Sequence, residues 1–199
     1  KLFLLSDALL GKKQYHEDWE DVTWDKSTIR SWLNGYGAEE NDSGKDYSGD
    51  HFLIPFYPAE TAAIPQTALT TGGNPDYPST VGGGDTKDRV FYLSWEEVTE
   101  AKYGFAEANA YDYARRASDS WWLRTPGFSN SNVALVDTNG KIYPAGNMAP
   151  VTSISSRPAL KMALSALLFA SPAEGGKSSG DPGPDALQPV GGYGGSEWK

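Results

Sequence analysis

The sequence predicts an α+β fold: a twisted, mostly antiparallel sheet with two or three short helices packed outside it. Three observations carry that expectation. With 22 glycines and 13 prolines in 199 residues, roughly one residue in six is a loop former, so helices are few and short. Asn139-Gly140 separates the strand-like runs Asn132–Asp137 and Lys141–Tyr143, the strongest short-range hairpin signal. Ser120-Trp121-Trp122-Leu123-Arg124-Thr125 reads as a strand that would sit beside that hairpin. Regular structure is expected in fewer than half of the residues.

The elements follow in order along the chain. Leu2–Ser6 is a buried-strand candidate. Thr23–Gly35 holds a short helix: Asp25 or Ser27 caps it, Ile29, Trp32 and Leu33 line one face, and Asn34-Gly35 ends it. Glu39–Asp50 is a polar loop, and Pro58–Ile64 gives one or two helical turns with proline leading. Thr70–Asp88, dense in glycine and proline, reads as a long surface loop. Arg89–Leu93 is a strand. Ser94 with Glu97 forms a capping box opening a helix that runs to about Tyr103. Asn109–Ser118 predicts another short helix, and Arg157–Met162 closes the domain. Residues 1–170 are thus expected as one domain, and 171–199, rich in glycine, proline and serine, as a linker to a further module opening at Trp198.

Composition removes several functions. Seventeen basic against 26 acidic residues give a net charge of −9, and no basic stripe is present, so neither nucleic acid nor anionic lipid is an expected partner. Without cysteine, disulfides, thiolate zinc sites and cysteine nucleophiles are excluded together. The two histidines, His16 and His51, rule out a three-histidine metal site. The longest apolar stretch, Ala163–Ala170, is too short to span a bilayer. The chain opens on a strand rather than a leader, which suggests that it starts inside a longer precursor.

Four motifs occur in order: Trp24-Asp25-Lys26-Ser27-Thr28-Ile29-Arg30-Ser31-Trp32-Leu33-Asn34, Val90-Phe91-Tyr92-Leu93-Ser94-Trp95-Glu96-Glu97, Trp121-Trp122-Leu123-Arg124-Thr125-Pro126-Gly127, and Arg157-Pro158-Ala159-Leu160. Over roughly residues 1–170 this series resembles an uncharacterised domain family of secreted and surface proteins of gut bacteria and their phages. The layout is also similar to the C-type-lectin-like fold, in the branch holding formylglycine-generating enzymes and the variable proteins of diversity-generating retroelements. In those variable proteins, hypermutable positions lie between a tryptophan-bearing strand and a terminal Arg-Pro. Here Asn130, Asn132, Asn139 and Asn147 fall between Gly127 and Arg157, although a hairpin and its loops favour asparagine anyway. The enzymes of that branch rely on cysteines or a histidine-rich triad, which this chain lacks, so the resemblance implies a shared fold without the chemistry.

The chemistry-bearing residues point mainly to binding. Trp121 and Trp122 place one ring on each face of a strand, where core packing is the first expectation and a ligand wall the second. Arg124 is expected to pair with Asp137 or Asp119, or to cover an aromatic face. Glu39, Glu40, Asp42, Asp46 and Asp50 share one loop; calcium stays open there, but the spacing is not that of an EF-hand. No serine motif or third partner accompanies either histidine, and Gly82-Gly83-Gly84 lacks the rest of a P-loop. The expected function is a non-catalytic module on a bacterial, cell or phage surface that binds a protein or glycan. A carbohydrate-active enzyme using an acidic pair and a structural spacer are the alternatives. Trp122, Leu123, Val133, Leu135, Ile142, Pro158 and Leu160 are the expected scaffold. Phe128, Ser129, Asn130, Asn132, Asp137, Tyr143, Asn147 and Met148 are the expected exposed ligand-binding residues, with Phe128 and Tyr143 as anchors.

Overall fold

The computed structural model describes residues 2–108 and 110–163, together with the backbone of the two-residue strands 169–170 and 188–189. The expected linker 171–199 otherwise lies outside the described residues. Strand content of 24% and helix content of 18% keep regular structure below half and give a mixed α+β architecture.

The first strand, β1 (Leu2–Leu5), forms before a long irregular run that leads to α1 (Thr28–Asn34). Ser27 caps α1, its hydroxyl accepting from the Arg30 amide, and Gly35 ends it at φ +71, a left-handed conformation that favours glycine. Helix α2 (Pro58–Ala63) starts on proline, as expected. The stretch expected to be one long loop, Thr70–Asp88, ends instead in a strand: β2 (Thr67–Leu69), which precedes the stretch, pairs antiparallel with β3 (Thr86–Asp88). Next come β4 (Val90–Phe91) and α3 (Trp95–Val98), which opens on the capping box of Ser94 and Glu97. Then follow β5 (Trp121–Pro126), β6 (Asn132–Val136), β7 (Ile142–Met148) and β8 (Ala159–Met162).

Three expectations need correction. The helix from Ser94 stops at Val98 and resumes only as a 3-10 turn at Ala101–Tyr103. The helix expected at Asn109–Ser118 is one 3-10 turn, Tyr113–Arg115; Asn109 lies outside the described residues. The cause is local competition: the Asp112 carboxylate accepts from the Ala106 and Ala114 amides, and Arg115 draws surrounding carbonyls inward rather than along a helix axis. Strand β1 is not fully buried, because Leu2 and Leu4 face outward from an edge strand while Phe3 and Leu5 pack on the core.

Two three-stranded antiparallel sheets hold the molecule together, ordered β1-β8-β4 and β5-β6-β7. Their junction is β5. Along its outer edge the Trp122 amide donates to the Ser155 carbonyl (3.2 Å) and the Arg124 amide to the Leu93 carbonyl (2.9 Å). Strand β6 is the regular middle strand. Its register runs Trp122↔Leu135 then Pro126↔Val133 on one side, and Leu135↔Tyr143 then Val133↔Asn147 on the other. Both neighbours therefore bulge opposite Ala134. The β5 bulge turns Leu123–Thr125 away from β6 toward β4 and α3, where the Thr125 hydroxyl accepts from the Trp95 amide at 2.8 Å. The β7 bulge at Pro144–Gly146 uses Gly146 at φ +68, where any Cβ would collide with the Val133 carbonyl.

Trp121 and Trp122 point to opposite faces of β5 and both are fully buried. The Trp121 indole donates to the Arg115 carbonyl, with the Arg157 guanidinium 4.9 Å from its ring; the Trp122 indole donates to the Lys13 carbonyl. Both rings are core, so neither walls a ligand site. Tyr15, Trp24, Tyr92 and Trp122 form a tilted aromatic cluster with ring centroids 5.6–6.5 Å apart, which supplies much of the buried apolar area.

Candidate functional site

The motif residues that looked most like machinery hold the scaffold. Asp88 is completely buried and accepts four bonds: from Arg30 Nε (2.9 Å) and Tyr36 Oη (3.1 Å) on one oxygen, and from Trp24 Nε1 (2.9 Å) and Thr86 Oγ1 (2.7 Å) on the other. Asn34 reaches from the end of α1 to the β4 backbone, donating to the Val90 carbonyl and accepting from the Arg89 and Val90 amides. Arg115 spends all five of its N–H groups on backbone carbonyls, those of Gly140, Val98, Ala106, Glu107 and Ala110. Burial pulls its pKa below the ordinary value, against the pull of Asp112 at 3.6 Å. Arg124 pairs with Glu97 rather than Asp137 or Asp119, bonds the Tyr92 carbonyl, and lies over Phe91.

His16 is the buried group with the most catalytic appearance. Its Nε2 lies 2.9 Å from Glu20 Oε1 and 3.4 Å from Ser43 Oγ, and Asp18 and Glu20 complete a set whose ligand atoms lie within 4.8 Å of one another. The Thr28 amide donates to Nδ1 at 3.3 Å, which places the ring proton on Nε2. That proton is directed at Glu20, and the Ser43 hydroxyl donates to Asp18 rather than to the imidazole. The arrangement suits a fixed structural histidine that ties the start of α1 to the Glu39–Asp50 loop. The acids of that loop do not converge: Glu40 goes to Arg30, and Asp46 accepts from the Ser48 amide.

The eight residues expected to bind ligand have different fates. Phe128 and Tyr143 are each 53% exposed and Met148 is 43% exposed. The Phe128 amide donates to the Ala145 carbonyl, so Phe128 and Tyr143 flank the β7 bulge. The Phe128 ring sits edge-on to Tyr77 at 6.4 Å. Ser129 and Asn147 are half-buried; the Ser129 hydroxyl donates to Asn132 Oδ1, and Asn147 Oδ1 accepts from the Met148 amide. Asn132, expected to be exposed, is buried and accepts from the Ser129 hydroxyl. Asn130 is committed to both backbone polar groups of Val81. Asp137 caps the hairpin turn, accepting from the Asn139 and Lys141 amides. Register separates the rest: Tyr143 shares a face with Leu135 and Trp122, and Met148 lies opposite Asn132 on the other face. Register therefore puts Tyr143 and Asn147 on one face of the sheet, Phe128 is joined to the bulge between them, and Ser129 bonds Asn132, which lies on the other face.

Asn74, inside the long loop, was missed. It is 1% exposed, and its amide donates to the Pro126 and Pro144 carbonyls at 2.8 Å and to Gly127 at 3.4 Å. The available signal was Asn74-Pro75-Asp76, a turn-forming run within the glycine-rich stretch.

These features define a mixed α+β domain in which Asp88, Asn34, Arg115 and Arg124 tie its own elements together. The chain belongs to the family described as Domain of unknown function (DUF6273), whose model matches residues 1–164. No curated protein matches the chain, and no solved structure does.

Proposed function

We propose that this domain is a non-catalytic ligand-binding module displayed on a bacterial or phage surface, with a C-type-lectin-like scaffold of the kind used by variable proteins of diversity-generating retroelements. One observation carries the reading. Most of the buried polar side chains are spent on the scaffold, whereas Phe128 and Tyr143 stand half-exposed on either side of a bulge in β7. Rigid aromatic anchors beside short polar side chains such as Ser129 and Asn147 make large contact area at low entropic cost. His16 lends no support to catalysis through Ser43, because that hydroxyl donates to Asp18 rather than to the imidazole.

A glycan and protein array tests the proposal. Binding without turnover, lost in Phe128→Ala and Tyr143→Ala while melting stays unchanged, is the expected result. Turnover of a bound carbohydrate would establish the enzyme instead, and silence on both arrays would favour a spacer. A fall in stability of about 3 kcal/mol in either variant, typical of a truncated core aromatic, would place the surface elsewhere.

A further inference from the structure

A second site lies on the opposite side of the sequence from the Phe128 surface. The run after β1, α1 and Tyr47 border a cleft of about 140 Å³, lined by Lys13, Gln14, Glu17, Ile29, Trp32 and Tyr47. It is well below the roughly 300–1,000 Å³ of sites for drug-sized ligands and suits one small ring. Trp32 is half-buried, and its indole N–H has no partner among the described residues. Glu17 Oε1 is held by Lys45 Nζ at 2.6 Å and by Tyr47 Oη at 2.7 Å, so the carboxylate is fixed while Oε2 has no partner among the described residues. Gln14 donates its amide N–H to the Pro150 carbonyl at 2.7 Å, leaving Oε1 as a second acceptor. Lys13 Nζ lies 4.1 Å above the Trp32 ring.

The charge pattern selects the ligand. The ammonium of Lys13 already covers the Trp32 face, which discourages a cation; the Glu17 carboxylate repels an anion. What fits is a neutral ring with an apolar C–H face for the indole and hydroxyls that both donate and accept. We propose that this cleft binds a single pyranose unit of a glycan, stacked on Trp32, with Glu17 and Gln14 accepting from its hydroxyls. Lys13 swings off the ring to the rim, where it donates to one of them.

The full chain, labelled with nitrogen-15, is titrated with glucose, galactose, mannose and N-acetylglucosamine up to about 50 mM, since a lone monosaccharide is expected to bind in the roughly millimolar range. The expected result is a saturable shift of the Trp32 indole N–H and the Gln14 side-chain amide with at least one sugar. Affinity should fall about tenfold in Glu17→Gln, the loss expected when a charged acceptor becomes neutral, with only a small fall in melting temperature from the lost Lys45 pair. Phe128→Ala should leave these shifts intact, which separates the cleft from the other surface. The proposal is overturned if the Trp32 indole signal stays fixed with every sugar. It is also overturned if tetramethylammonium or sulfate moves that signal more than any sugar, or if Glu17→Gln binds as tightly as the native chain.

Discussion

Asp88 and Arg115 are both buried charges, and the chain satisfies them in opposite ways. Asp88 gathers side chains: Trp24, Arg30, Tyr36 and Thr86 converge on it from distant parts of the sequence. Arg115 gathers backbone: apart from Gly140, its carbonyl partners lie within the segment 98–110 just ahead of it. An ion pair with neutral donors around it ties separate elements into one cooperative unit. A cation surrounded by carbonyl dipoles instead shapes one irregular segment that has almost no regular structure of its own. The difference predicts global damage from one loss and mainly local damage from the other.

Asp88→Ala is the most severe test. It removes the Arg30 Nε partner, leaving that guanidinium only Glu40 and the Asp25 carbonyl, and leaves the Trp24 indole without an acceptor, so a loss of about 4 kcal/mol in denaturant unfolding is expected, spread over the whole domain. Arg115→Met is expected to cost about 3 kcal/mol, because the part-buried carbonyls of Ala106, Glu107 and Ala110 can turn to water. Hydrogen exchange should show protection lost chiefly between residues 98 and 116. Uniform loss in this variant would erase the distinction between the two hubs. Asn74→Ala sharpens it with a neutral version of the Arg115 device: about 2 kcal/mol, with proteolytic nicking appearing in the 70–85 loop.

Glu17 gives the exposed counterpart of the Asp88 hub. Burial pushes its carboxyl upward, but the bonds from Lys45 and Tyr47 outweigh that and hold it below its ordinary value of 4.5. A depressed carboxyl contributes stability that is present above 4.5 and lost as pH falls through the folded value. With the side chain 36% exposed, solvent screening keeps the effect under about 1 kcal/mol. Melting measured from about pH 6 down to pH 3 should fall less steeply in Glu17→Gln than in the native chain.

Local signals were legible in the sequence and long-range ones were not. Ser27 and Gly35 bound α1, Ser94 and Glu97 open α3, and Asn139-Gly140 makes the hairpin, because each acts within a few residues of itself. The split of Trp121 and Trp122 across β5 followed from strand alternation alone. The pairing of β2 with β3 was hidden, since three-residue strands carry little pattern and their partner is remote. Asn74 and the paired bulges opposite Ala134 depend on backbone brought from elsewhere, which no spacing encodes. For the binding surface, exposed aromatics could be named, but Asn130, Asn132 and Asp137 are polar residues whose bonding groups turned out to be taken by the scaffold.

Strands β1 and β8 run antiparallel with Leu2 opposite Met162 and Leu5 opposite Ala159. Residues 2 and 162 therefore sit side by side at the same end of the ladder. Tension applied between them loads the rungs singly, from Leu2↔Met162 inward, like a zipper being drawn, rather than shearing all of them together. Pulled at these two residues, the domain is a soft link. It would yield first at β1, uncovering the edge of β8, while the β5-β6-β7 sheet with its buried tryptophans stayed closed.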